Sequence, residues 1–185
     1  MSKSPFSLKV DLIHDNTHEL NQLKKDWNNF HSNYTEKEYD TFDEYFSSLK
    51  QTIENQKPQV VILAAAVSDY GVKDFVNGKI RSKSDLTIEL QPLPKVISFV
   101  KQWMPKTFLV GFKMLVGDSD EELINAANKS INDNDCDMVI ANDWNSYLKN
   151  NPRICIIQPS KEPQWFEKST HNLAAMVVKK IKEAL

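Results

Sequence analysis

The strongest pattern in the chain is an unbroken apolar run, Val60-Val61-Ile62-Leu63-Ala64-Ala65-Ala66-Val67, which closes on Ser68-Asp69-Tyr70. Continuous apolarity, rather than alternation, predicts a strand covered on both faces, as in a parallel α/β sheet. The three alanines would let a flat ligand approach the backbone. Ser68, Asp69 and Tyr70 fall at the carboxyl end, where ligands of open α/β sheets sit. The plainer reading of the same residues is a polar turn after a core strand.

The pattern on either side predicts strands and helices in alternation. Phe6 to Ile13 alternates as a half-exposed strand, and Leu20, Leu23, Trp27 and Phe30 fall at helical spacing in a polar segment over 16–39. Thr41 and Glu44 form a capping box, and Phe42, Tyr45, Phe46, Leu49 and Ile53 line one face of a helix that Lys57-Pro58 ends. After the apolar run comes a loop from Gly71 to Lys83 with four basic residues, Lys73, Lys79, Arg81 and Lys83. Asp85 to Leu90 alternates as a strand, with Leu86, Ile88 and Leu90 on one face. Pro94 suits the first turn of a helix whose buried side is Val96, Ile97, Val100 and Trp103, and Pro105 stops it. Thr107 to Val110 reads as a strand ending in Gly111-Phe112-Lys113. The acidic run from Asp118 to Glu122 begins the next helix, where the dipole favours it. Cys136 to Ala141 is a strand ending in Asn142-Asp143-Trp144, and Arg153 to Gln158 is another. Leu173, Met176, Val177 and Ile181 give the last helix its apolar face. Such alternation implies a mostly parallel sheet with helices on both faces, right-handed crossovers and the three polar strand ends on one rim.

Composition narrows the function. A chain of 185 residues, 41% hydrophobic and 26% charged, reads as one globular domain over 1–185. A net charge of −2 provides no basic field for nucleic acid. Cys136 and Cys155 sit in apolar contexts without ligand spacing, which points to a reducing compartment and away from zinc. His14 and His18 have metal-ligand spacing, but a strand end and a helix cap fit them better, so no protein-held metal is expected. No stretch has the pattern of a signal peptide or a membrane span, and the chain reads as cytoplasmic. A carboxylate, amides, lysines and an aromatic at a strand-end crevice suit a nucleotide with its phosphates, accompanied by magnesium. Neither a P-loop nor Gly-x-Gly-x-x-Gly is present, which counts against a nicotinamide-dependent oxidoreductase.

The ordered set Ala64-Ala65-Ala66-Val67-Ser68-Asp69-Tyr70, Lys79-Ile80-Arg81-Ser82, Leu86-Thr87-Ile88-Glu89-Leu90, Pro94-Lys95-Val96-Ile97, Gly111-Phe112-Lys113 and Ala141-Asn142-Asp143 resembles the phosphopantothenate-cysteine ligase family, in its stand-alone form. The resemblance runs from about Thr41 to Trp144. It implies a Rossmann-like three-layer sandwich and a homodimer, with CTP or ATP activating the carboxylate of 4'-phosphopantothenate as an acyl nucleotidylate. Cysteine then attacks, in a step of coenzyme A biosynthesis. By the same resemblance, Leu63, Ala64, Ala65 and Ala66 line the nucleotide site and Asp69 contacts the nucleotide. Lys79 serves the triphosphate during activation, the backbone from Pro94 through Lys95 and Val96 to Ile97 reads the base, and Phe112 and Lys113 lie beside it. Lys129 is a weaker match to a helix lysine near the phosphates. Ser68, Tyr70, Arg81, Gly111, Asn142 and Asp143 support the site.

The family's Gly-Gly-Thr and Ile-Thr-Asn segments have no counterpart before Thr41, and a second helix lysine is replaced by Asp133 and Asn134. Three arrangements fit that departure: a second polypeptide supplies the absent portion, the chain is a catalytically silent nucleotide-binding or regulatory subunit, or the segment from Asn16 to Tyr39 has taken over.

Overall fold

The computed structural model describes residues 35–81, 85–117 and 119–185. The expected strand at Phe6–Ile13, the helical spacing from Leu20 to Phe30, the His14 and His18 pair, Ser82, Lys83 and Asp118 lie outside the described residues. Residues Tyr39–Leu185 form one compact unit; of the unit Met1–Glu38, residues 35–38 are described and form neither helix nor strand.

The compact unit opens with α1, Phe42–Gln56. Its capping box is present as expected: Glu44 N–H donates to Thr41 Oγ1 at 3.2 Å, and the Glu44 carboxylate accepts from the Thr41 N–H at 3.1 Å. The helix ends at Lys57, which adopts the left-handed conformation before Pro58. The next elements are β1 (Val60–Leu63), β2 (Tyr70–Val72), β3 (Leu90–Pro92), α2 (Ile97–Trp103) and β4 (Phe108–Leu115). They are followed by α3 (Asp120–Asn134), β5 (Met138–Asp143), α4 (Trp144–Leu148), β6 (Arg153–Ile157), β7 (Gln164–Glu167) and α5 (Leu173–Ala184). The five-stranded sheet runs β1-β4-β5-β6-β7. The pairs β1/β4 and β4/β5 are parallel, and β5/β6 and β6/β7 antiparallel, so four strands share a direction and β6 opposes them.

Alternation of side chains across the inner strands separates two cores. Leu109, Val139, Ala141, Cys155 and Ile157 pack against Ile53 of α1, Val100 of α2 and Leu123, Ala127 and Ile131 of α3. Val110, Met138, Ile140, Ile154 and Ile156 pack against Ile181 of α5. This is the Rossmann-like, three-layer, mostly parallel arrangement expected from the alternation. A half-buried clamp fixes α2 to the sheet: Lys101 Nζ donates to Thr107 O at 2.7 Å and to Asp137 Oδ2 at 2.6 Å, and that carboxylate also accepts from Leu109 N–H at 2.7 Å.

Several expectations need correction. The strand from Val60 stops at Leu63, leaving Ala64, Ala65 and Ala66 outside any strand or helix. It also ends the described sheet, so Ile62 is 47% exposed and double-sided cover belongs to β4 and β5 instead. No strand forms over 85–89; Leu86 and Ile88 are exposed, and β3 contributes Leu90–Pro92 to a separate two-stranded antiparallel sheet with β2. Backbone bonds from Leu93 N–H to Asp69 O and from Lys73 N–H to Glu89 O, both 2.9 Å, extend this arm at each end. Pro94 precedes α2 rather than entering it, because the first turn is tightened by Ser98 and Phe99 N–H bonds to Lys95 and Val96 O. Gly111, Phe112 and Lys113 are interior to β4, since pairing with β5 carries that strand to Leu115. β5 itself runs on through Asn142 and Asp143, two residues past the expected Ala141. The short helix α4 and the strand β7 had no sequence expectation.

Candidate functional site

A cleft of about 220 Å³ opens at the carboxyl end of β1. Its floor is Leu63, Ala65, Val67, Ser68 and Asp69, and Pro94, Lys95, Val96 and Ile97 bring in the turn that enters α2. Phe112 and Lys113 come from β4, Tyr45 from α1, and Ser130 and Asn134 from α3. The register explains the meeting: Leu63 lies level with Gly111, so the end of β1 borders the middle of β4.

Ten sequence-selected residues therefore share the cleft: Leu63, Ala65, Ser68, Asp69, Pro94, Lys95, Val96, Ile97, Phe112 and Lys113. Ser68 is bound locally, its Oγ donating to Tyr70 O at 2.7 Å. The Asp69 carboxylate and the Lys95 and Lys113 ammonium groups have no ion pair among the described residues, so one negative and two positive groups are available to a ligand. Gly111 lines no part of the cleft but shapes it. A β-carbon there would stand 3.0 Å from Ile97 Cδ1 and 3.4 Å from Cys136 Sγ, so its absence lets α2 approach β4.

The remaining selected residues stand elsewhere. Ala64 and Ala66 flank the floor, and Tyr70 belongs to β2 with its side chain exposed. Lys79 and Arg81 are exposed on the segment between β2 and β3. Lys129 is directed away: its Nζ bonds Asp133 Oδ2 at 2.8 Å along the outer surface of α3. Asn142 and Asp143 are level with Met114 and Leu115, one and two positions beyond Lys113. Asp143 has a structural use: its Oδ1 accepts from Gly117 N–H at 3.0 Å and from Asn145 N–H at 3.2 Å, capping α4 and tying down the chain after β4. Those hydrogen bonds, from Gly117 above all, hold its carboxyl below the usual range.

Sequence reasoning missed Tyr45, Val67, Ser130 and Asn134. The buried series Leu123, Ala127 and Ile131 carried a signal for the last two: positions three and seven after Ala127 are Ser130 and Asn134, beside the buried stripe. Tyr45 was legible as part of the apolar face of α1, but its phenol was not. Burial, with Tyr39 beside it, pushes that phenol above its ordinary pKa.

Residues 30–185 match the model of the DNA/pantothenate metabolism flavoprotein C-terminal domain family. The chain is 40% identical over 120 residues to a coenzyme A biosynthesis bifunctional protein of Thermococcus kodakarensis, spanning 65% of this chain and 30% of that one. It is 32% identical over 114 residues to human phosphopantothenate-cysteine ligase, spanning 57% of this chain and 36% of the relative. The chain thus spans about a third of the length of these curated relatives. Among solved structures, the DNA/pantothenate metabolism flavoprotein from Streptococcus pneumoniae superposes with a TM-score of 0.70 at 25% identity, covering 80% of this chain and 72% of its own. With the match extending over most of its length, including every residue of the cleft, the chain belongs to the DNA/pantothenate metabolism flavoprotein C-terminal domain family.

Proposed function

We propose that this chain acts as a phosphopantothenate-cysteine ligase in coenzyme A biosynthesis, with residues 1–185 as one ligase domain that binds the nucleotide and activates the carboxylate. The convergence of Asp69, Lys95, Lys113 and Phe112 on one cleft carries the reading. The name of the human relative supports the reaction class. In this reading CTP or ATP binds with its nucleoside in the cleft. A carboxylate oxygen of 4'-phosphopantothenate attacks the α-phosphorus and pyrophosphate leaves. The cysteine amine then attacks the acyl carbon, loses a proton and displaces the nucleoside monophosphate.

At about 220 Å³ the cleft is smaller than a usual ligand pocket of roughly 300–1,000 Å³, so the phosphates extend outside it. A long cationic side chain on the exposed segment, Lys79, suits phosphates placed there, and a fixed cation stabilises charge that builds on the α-phosphate. Asp69 is the carboxylate available for magnesium, which the triphosphate itself brings. Among the described residues no group of three His, Cys, Asp or Glu could hold the ion alone. Exposed Tyr70, Val72, Phe75, Val76, Ile80, Leu86, Ile88 and Leu90 give the arm an apolar surface that favours a homodimer, and a second chain supplying the absent Gly-Gly-Thr portion is compatible with it. No helix among the described residues is long and apolar enough to cross a membrane, and a cytoplasmic location fits the two free, buried cysteines.

A catalytically silent subunit is the second reading, favoured by the pairing of Lys129 with Asp133. Calorimetric titration with CTP and with ATP in magnesium, followed by pyrophosphate release on adding 4'-phosphopantothenate, separates the two. The ligase reading expects binding and release. Binding without release in the presence of cysteine selects the silent subunit or a half site awaiting its partner, and absence of binding overturns both readings.

A further inference from the structure

The wall of the cleft contributed by α3 differs from the rest because it is neutral and its polarity is fixed. Asn134 Nδ2 donates to Ser130 O at 2.9 Å and approaches Ser130 Oγ at 3.4 Å. A backbone carbonyl only accepts, so the nitrogen of the amide faces Ser130 and the oxygen is the group left for the cleft. The Ser130 hydroxyl accepts from Asn134 and donates to no partner among the described residues. One acceptor, Asn134 Oδ1, and one donor, the Ser130 O–H, therefore stand side by side on a wall that lines the cleft.

We infer that Ser130 and Asn134 read the base of the bound nucleotide and select one that presents an amino group next to an unprotonated ring nitrogen. This deepens the nucleotide-binding reading above and rests on it. Cytosine offers its 4-amino group to Asn134 Oδ1 and its N3 lone pair to the Ser130 hydroxyl, and adenine offers its 6-amino group and N1. Uracil and guanine present the inverse order, a carbonyl oxygen beside a ring N–H. The Asn134 oxygen then faces a carbonyl oxygen, acceptor against acceptor, and the Ser130 hydroxyl must turn from donating to accepting, in a half-buried position where the unmatched oxygen pair is penalised.

Titrating the full chain with CTP, ATP, UTP and GTP in magnesium tests this. CTP and ATP are expected to bind roughly tenfold or more tightly than UTP and GTP. Asn134→Leu, which keeps the volume and removes the acceptor, collapses that ratio toward one, and Ser130→Ala lowers it by removing the donor while the backbone carbonyl of residue 130 still holds the amide. If Asn134→Leu does not fold, Ser130→Ala decides alone. Equal binding of all four nucleotides, or an unchanged ratio in the folded variants, overturns the base-reading role and leaves nucleotide binding intact. Failure of all four to bind overturns the nucleotide reading itself.

Discussion

Gly111 shows how one missing side chain sets the width of the cleft. Alanine there would drive a β-carbon to 3.0 Å from Ile97 Cδ1, with Cys136 Sγ and Val139 behind it. Gly111→Ala is expected to destabilise the fold by about 1–3 kcal/mol, through overpacking. It should also weaken nucleotide binding by moving Ile97, measurable as a lower urea midpoint together with a higher Kd. Lys79→Gln should behave in the opposite way, with an unchanged midpoint and loss of pyrophosphate release, since Lys79 is exposed. Burial pushes the thiols of Cys136 and Cys155 up to about 11, from 9.0. The unfolded chain then ionises first, so the stability these thiols contribute is full below pH 9 and is lost as pH rises from 9 to 11. Replacing both by alanine should flatten that part of the stability profile, and iodoacetamide at pH 8 should label the native protein far more slowly than the urea-unfolded one. Residues picked out by type, such as Asp69 and Lys95, were legible in the sequence as candidates that the cleft brings together. Those that depend on helical phase were not: Lys129 and Ser130 are neighbours in sequence, yet the buried stripe of Leu123, Ala127 and Ile131 turns only Ser130 inward.

The two helices opened by capping boxes were legible, whereas the carboxyl ends of β1 and β4, set by pairing, were not. Thr41 with Glu44 and Ser119 with Glu122 both form reciprocal boxes, so each helix start is written in four residues. Thr41→Ala and Ser119→Ala should each lower stability by about 1 kcal/mol, read from chemical denaturation. Backbone hydrogen bonds hold the carboxyls of Glu44 and Glu122 below 4.5. Their contribution is therefore present above the unfolded value and lost as pH falls through the lower folded one, so the cap variants should be less sensitive to acid than the parent as pH falls below 4.5. The ends of β4 and the failure of 85–89 to form a strand had no such local signal. β4 continues through Phe112 and Lys113 because β5 offers partners as far as Asp143. The Leu86, Ile88, Leu90 alternation records an apolar face that nothing in the described chain buries.

Taken as a whole molecule, the unit combines a well-covered centre with an apolar arm, on which Phe75 is 81% exposed. The homodimer reading expects sedimentation at twice the chain mass, and Phe75→Glu with Val76→Glu should give a monomer that stays folded, because neither residue belongs to the sheet or its cores. The α/β class and the two helical layers were legible from the alternation of apolar segments. The antiparallel return through β6 and β7 was not, since a buried strand reads the same in either direction. The order of the sheet also has a consequence in time. β1 pairs with β4, whose first residue is 45 positions beyond Leu63. At roughly 5–20 residues per second, a ribosome makes Val60–Leu63 about 2–9 seconds before any of its native partner exists. Lys57 and Pro58 stand directly upstream of this waiting strand, a charge and an imino acid that discourage it from pairing with another nascent chain in the interval.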